Sequence, residues 1–73
     1  MPTVDEAYLI GIREGRSAMN AALSDGLDKQ DFCRAALANV MTCMRAGFGQ
    51  VMQAQFRGQR DFYRNQLKEA KTC

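Results

Sequence analysis

Residues 28–70, DKQDFCRAALANVMTCMRAGFGQVMQAQFRGQRDFYRNQLKEA, decide how this chain folds. Along them Leu37, Met41, Met44, Phe48, Met52, Gln55, Gln59 and Tyr63 recur at steps of three or four, the spacing that gathers side chains on one face of an α-helix. Val40, Gly47, Val51, Ala54, Gly58 and Phe62 form a second stripe of smaller side chains beside the first. Together the stripes are wider than the roughly 100° that a helix needs to rest on one neighbour, so two neighbours are expected. The interruption is Gly47-Phe48-Gly49, where two interior glycines would cost about 1 kcal/mol each relative to alanine. The apolar phase passes through them without a slip, because Met44, Phe48 and Met52 stay in line. That favours one long helix, kinked at the glycines, over a break that would give three helices.

Upstream, Thr3-Val4-Asp5-Glu6 fits a capping box, in which the threonine hydroxyl accepts from the Glu6 amide and the glutamate reaches back to the Thr3 amide. Asp5 and Glu6 also suit the positive end of the helix dipole. The helix that follows carries Tyr8, Leu9, Ile12, Met19 and Leu23, with Gly11, Gly15, Ala18 and Ala22 as a small-residue line that lets another backbone come close. Gly11 and Gly15 are not phosphate-loop glycines, since no strand precedes them and no G-K-[ST] element follows. Ser24-Asp25-Gly26-Leu27-Asp28 then combines an Asp-Gly turn with a new N-cap at Asp28. The expected fold is all-α: an antiparallel helical hairpin in one domain spanning 1–73, with a helix over about 3–24, a turn at 25–27 and a long helix over about 28–70.

The helices of that hairpin are unequal, about 30 Å against about 64 Å at 1.5 Å per residue. The short one would leave Val51, Met52, Phe56, Phe62, Tyr63 and Leu67 uncovered, and with Phe48 these form the expected interface of a homodimer. Burying the four bulkiest would contribute on the order of 6–12 kcal/mol before ordering costs. Charge agrees with antiparallel pairing. Residues 1–36 carry four basic and six acidic side chains and residues 37–73 carry six and two, so basic tails would lie beside Asp25, Asp28 and Asp31.

Seventy-three residues make at most one small, marginally stable domain, and 47% hydrophobic with 25% charged residues is the composition of a folded chain. The net charge of +2 argues for no partner by itself. Cys33, Cys43 and Cys73 form no C-x-x-C pair and no histidine is present, so neither a zinc site nor any other cofactor is expected. Cys33 and Cys43 would stand about 15 Å apart along one helix, too far for a bridge, and read as reduced, buried thiols of a cytoplasmic protein. Cys73 is placed to form an intermolecular disulfide in vitro. The N-terminus lacks a secretory pattern, and no run reaches the ~20 apolar residues of a membrane span.

Arg57, Arg60, Arg64, Lys68 and Lys71 share a face turned away from the apolar stripes, with Asp61 as local partner of Arg57 or Arg64 and no acidic residue three or four positions from Arg60. Such a face is read as solvated cations near a helix C-terminus, as a surface for an acidic patch on another protein, or as a contact for a nucleic-acid backbone. Arg45, at the border of the apolar face, is a snorkelling side chain or an anchor in a partner's pocket. Candidate partner-binding residues are therefore Arg45, Arg57, Arg60, Arg64, Lys68, Asp25, Asp28 and Asp31. No serine lies beside a base and no carboxylates are spaced for acid–base work, so the chain reads as non-enzymatic.

Asp5-Glu6-Ala7-Tyr8-Leu9-Ile10-Gly11 with Glu14-Gly15-Arg16, and the closing Phe62-Tyr63-Arg64-Asn65-Gln66-Leu67-Lys68, resemble small helical early proteins of temperate bacteriophages, above all the phage quorum-sensing anti-activators. The resemblance covers most of the length and transfers no target-contact residue to a numbered position. It implies a helical dimer that inactivates a host protein, such as a quorum-sensing transcription activator or a pilus-assembly ATPase, by occupying a surface the target needs. The acidic region around Asp25, Asp28 and Asp31 would suit competition with DNA. The rival reading is a small dimeric nucleic-acid-binding protein that uses Arg57, Arg60, Arg64 and Lys68.

Overall fold

The computed structural model describes residues 2–71, the side chains of 70 and 71 excepted. Three helices follow one another: α1 (Val4–Ser24), α2 (Lys29–Arg45) and α3 (Gln50–Lys71). α1 begins with the expected capping box, Glu6 N donating to Thr3 Oγ1 at 3.1 Å and Thr3 N reaching Glu6 Oε1 at 3.5 Å. It ends in a Schellman arrangement: Leu27 N donates to Ala22 O and Gly26 N to Leu23 O, both at 3.0 Å, with Gly26 at φ +85°. Asp28 caps α2 by accepting from Asp31 N at 3.0 Å. The first reversal, at 25–28, is therefore where the turn signals put it.

The second reversal overturns the hairpin. α2 stops at Arg45, Gly47 takes φ +82°, and the chain folds back so that the stretch 28–70 becomes two helices. The left-handed conformation that ends α2 is disfavoured for any side chain with a Cβ, and Gly47 adopts it without that penalty. Gln53, in the first turn of α3, donates its side-chain amide to Met44 O at 2.9 Å and so satisfies a carbonyl that α2 leaves open. The phase continuity that pointed to one helix arises because the four residues 46–49 replace about one turn, leaving Met44, Phe48 and Met52 at helical spacing in sequence without helical backbone between them.

α1 and α3 run parallel in close contact, and α2 runs antiparallel to α3 across their seam. The small residues make the α1–α3 approach possible: a Cβ on Gly11 would collide with the Gln55 carbonyl, one on Gly58 would collide with the Tyr8 carbonyl, and one on Gly15 would lie 3.0 Å from the Phe62 ring. Ala7 and Ala54, both fully buried, continue the two small-residue lines. Met19, Cys33, Val40, Phe62 and Tyr63 form the core, with Ile12, Phe32, Ala36, Leu37, Met44, Phe56 and Leu67 packed around it. Phe32 meets Tyr63 edge-on at 6.0 Å between centroids, and Phe62 meets Tyr63 likewise at 5.7 Å.

This packing corrects the expected exposure of α3. Phe62 and Tyr63 are 6% and 4% exposed within one chain, and Val51, Phe56 and Leu67 are half-buried, so a second copy is not required to cover them. The antiparallel α2–α3 pair also puts the basic end of α3 at the same end of the bundle as Asp25, Asp28 and Asp31, an arrangement for which the sequence had suggested two chains. Cys33 is buried and free, and burial pushes its thiol pKa up; Cys43 is free and half-buried. Cys73, read as able to form an intermolecular disulfide in vitro, and the Lys71 side chain lie outside the described residues.

Candidate interaction surface

Folding back at Gly47 leaves the large exposed apolar side chains of the second half of the chain at one end of the bundle. Phe48, 49% exposed in the α2–α3 connection, leans on the Phe56 ring at 5.6 Å between centroids, and Met52, on the first turn of α3, is 44% exposed. Val4, 37% exposed at the start of α1, comes to the same end because α1 and α3 are parallel. A groove of about 290 Å³ runs between Val4, Phe48, Gln50, Gln53 and Arg57. A shallower and larger one of about 560 Å³ adjoins it through Gln50 and is lined by Gly49, Val51, Met52 and Gln55. Two glutamines are fixed, Gln53 of the first groove on the Met44 carbonyl and Gln55 of the second on Glu14, which also accepts from Gln59 at 3.2 Å.

Of the residues expected at a dimer interface, Phe48, Val51 and Met52 meet here, whereas Phe56, Phe62, Tyr63 and Leu67 turn inward. Arg57 lines the groove, and Arg45 is exposed at the end of α2, three residues before Phe48. Arg60 departs from its expected role. Half-buried, it donates from Nε to Asp61 Oδ1 at 3.0 Å, while the Tyr8 hydroxyl donates to Asp61 Oδ2 at 2.6 Å. Burial works to raise the Asp61 pKa, yet the hydrogen bonds from Tyr8 and Arg60, together with the charges of Arg60 and Arg64, hold it below the usual carboxylate value. The same Tyr8–Asp61 hydrogen bond, with burial second, raises the Tyr8 hydroxyl. Asp61 thus ties α3 to α1 through Tyr8 and pairs with Arg60, where the sequence had given it to Arg57 or Arg64 and had placed Arg60 on a solvated face.

Arg64 and Lys68 remain exposed beyond Arg57, while Arg60 pairs with Asp61 and the exposed Arg34 pairs with Asp31 at 3.3 Å. The carboxylates of Asp28 and Asp31 are occupied locally, Asp28 capping α2 and Asp31 pairing with Arg34, while Asp25 ends α1 through its backbone N–H. They lie at the opposite end from Phe48. Elsewhere Leu9, Leu23 and Leu27 are exposed without lining either of these grooves. Val4, Gln50, Gln53 and Tyr8 have positions that sequence reasoning missed. Tyr8 and Asp61 are 53 positions apart, and no local pattern signals such a pair.

No helix among the described residues is long and apolar enough to cross a membrane. No protein-family model matches the chain, and neither a characterised protein nor a solved structure matches it at a significant level.

Proposed function

We propose that the chain is a non-enzymatic interaction protein whose docking surface is the Phe48–Met52 end of the bundle. The observation that supports this reading is the concentration of exposed Phe48, Met52 and Val4 around two adjoining grooves with one arginine in their wall. Clustered apolar side chains of this kind, next to a cation, are the usual anchors of protein recognition. Following the phage resemblance of residues 5–16 and 62–68, the partner is a host protein, such as a quorum-sensing transcription activator or a pilus-assembly ATPase, and inhibition follows from occupying its surface. A homodimer through the same end is the alternative use of these residues.

Capture from host lysate on the immobilised protein tests the proposal. A protein retained by the wild type and by Leu9→Glu, which alters an exposed leucine on α1, but lost with Phe48→Glu/Met52→Glu, is the expected result. Identical capture by all three would overturn it, provided circular dichroism shows each variant folded.

The nucleic-acid reading draws on Arg57, Arg64 and Lys68, which are exposed on one face of α3; Arg60 is engaged with Asp61. Titration with random duplex DNA separates it from the first. A contact with about three phosphates would weaken with a log–log salt slope near −3, and undetectable binding at low salt favours the protein-partner reading.

A further inference from the structure

From the chemistry of the groove walls we infer what docks there: an apolar segment of another protein flanked by acidic side chains. This rests on the docking role proposed above for the Phe48–Met52 end and specifies the occupant. The nine residues lining the two grooves include no carboxylate, and their one charge is the Arg57 guanidinium. Arg45 is exposed at the end of α2, three residues before Phe48 in sequence. Asp5 and Glu6, next in sequence to the groove residue Val4, line neither groove, with Glu6 folded back onto Thr3; Glu14, which also lines neither, accepts from the side chains of Gln55 and Gln59. In the first groove an incoming lysine or arginine would therefore meet the Arg57 guanidinium with no carboxylate in the wall, while an incoming glutamate or aspartate would pair with it; mismatched walls of this sort exclude partners and matched ones speed and orient them.

The extent of the surface decides between a segment and a second copy. About half of a phenylalanine, rather less than half of a methionine and a third of a valine stand open, which amounts to a few hundred Å² against the roughly 800 Å² per partner of a standard interface. A second copy would also bring its own Arg57 to a groove whose one charged lining residue is already that arginine. A short helix or extended segment with two or three large apolar residues fills the grooves and supplies the missing charge.

The test uses two synthetic helical peptides that share one leucine- and phenylalanine-bearing face and differ only in flanking glutamates or flanking lysines. Binding to the full chain is followed by fluorescence anisotropy and by amide shifts. The glutamate peptide is expected to bind about tenfold tighter than the lysine peptide at low salt, with the gap narrowing as salt is added. Its shifts should centre on residues 48–57, and Arg57→Glu, with Arg45→Glu as a second variant, should reverse the preference. Equal binding of both peptides, absence of binding by either, or shifts centred on the Leu23–Leu27 end would overturn the assignment. Phe48→Ala weakening both peptides alike, with no charge preference, would refute the acidic occupant while leaving the docking end in place. Self-association that depends on Phe48 and excludes both peptides would replace it with a second copy.

Discussion

Gly58 shows how much of this fold depends on single atoms. The Cβ of an alanine there would strike the Tyr8 carbonyl and lie 2.9 Å from Ile12 N and 3.1 Å from Gly11 Cα, all backbone of α1, which cannot rotate away. Gly58→Ala should lower stability by about 2–3 kcal/mol, read as a shift of the urea midpoint. Gly15→Ala first meets the Phe62 side chain at 3.0 Å, which can give by a few tenths of an ångström, and alanine's helix propensity of about 1 kcal/mol over glycine offsets the strain, so the change should be near neutral; equal losses at the two sites would contradict the close parallel contact. Asp61 makes a separate claim. Its pKa in the folded chain lies below the ordinary 3.8, so its contribution is present above that value and is lost as pH falls through the folded pKa. Asp61→Asn should therefore be less stable at neutral pH and should lose less than the wild type on acidification below about pH 4; parallel pH profiles would show that the network with Tyr8 and Arg60 carries no weight. Tyr8, raised above its ordinary 10.0, works in the other direction, its contribution present below that value and lost as pH climbs through the folded pKa.

Among the helices, the two reversals differ in how openly the sequence announces them. Ser24-Asp25-Gly26-Leu27-Asp28 carries a turn dipeptide and a cap for the next helix, and the chain turns there. The capping box at Thr3 and Glu6 and the packing role of Gly11 and Gly15 are equally local, because each depends on residue types at fixed spacing. Gly47 was hidden. Four connecting residues happen to preserve the spacing of Met44, Phe48 and Met52, and periodicity alone cannot separate that accident from a continuous helix. The candidate surface was legible in the same proportion: Phe48, Val51 and Met52 come from the apolar stripes, Arg57 comes from the basic face that the sequence had turned away from them, and Val4 joins them only through the parallel α1–α3 pairing. Gly47→Ala places a Cβ at φ +82° and should cost about 1–2 kcal/mol, visible as a lower Tm. Gly49, with nothing within 4 Å of its would-be Cβ and lying just before α3, is the complementary case. Gly49→Ser adds an N-cap acceptor and should raise stability by a few tenths of a kcal/mol; a loss there would contradict the start of α3 at Gln50.

Taken together, these contacts make a bundle of 35 × 24 × 20 Å that buries its aromatic core in one chain and leaves its apolar excess at one end. The sequence had balanced the same excess by pairing two long helices, and folding back removes most of the reason for doing so. The two arrangements differ most in where the start of α2 stands relative to the far half of α3. Paired spin labels at positions 30 and 65, both exposed, measured in protein diluted with unlabelled chain so that only intrachain distances are read, separate them directly. The three-helix bundle predicts a distance well inside its own 35 Å length. A distribution centred near the ~50 Å that 35 residues of continuous helix would span would contradict it.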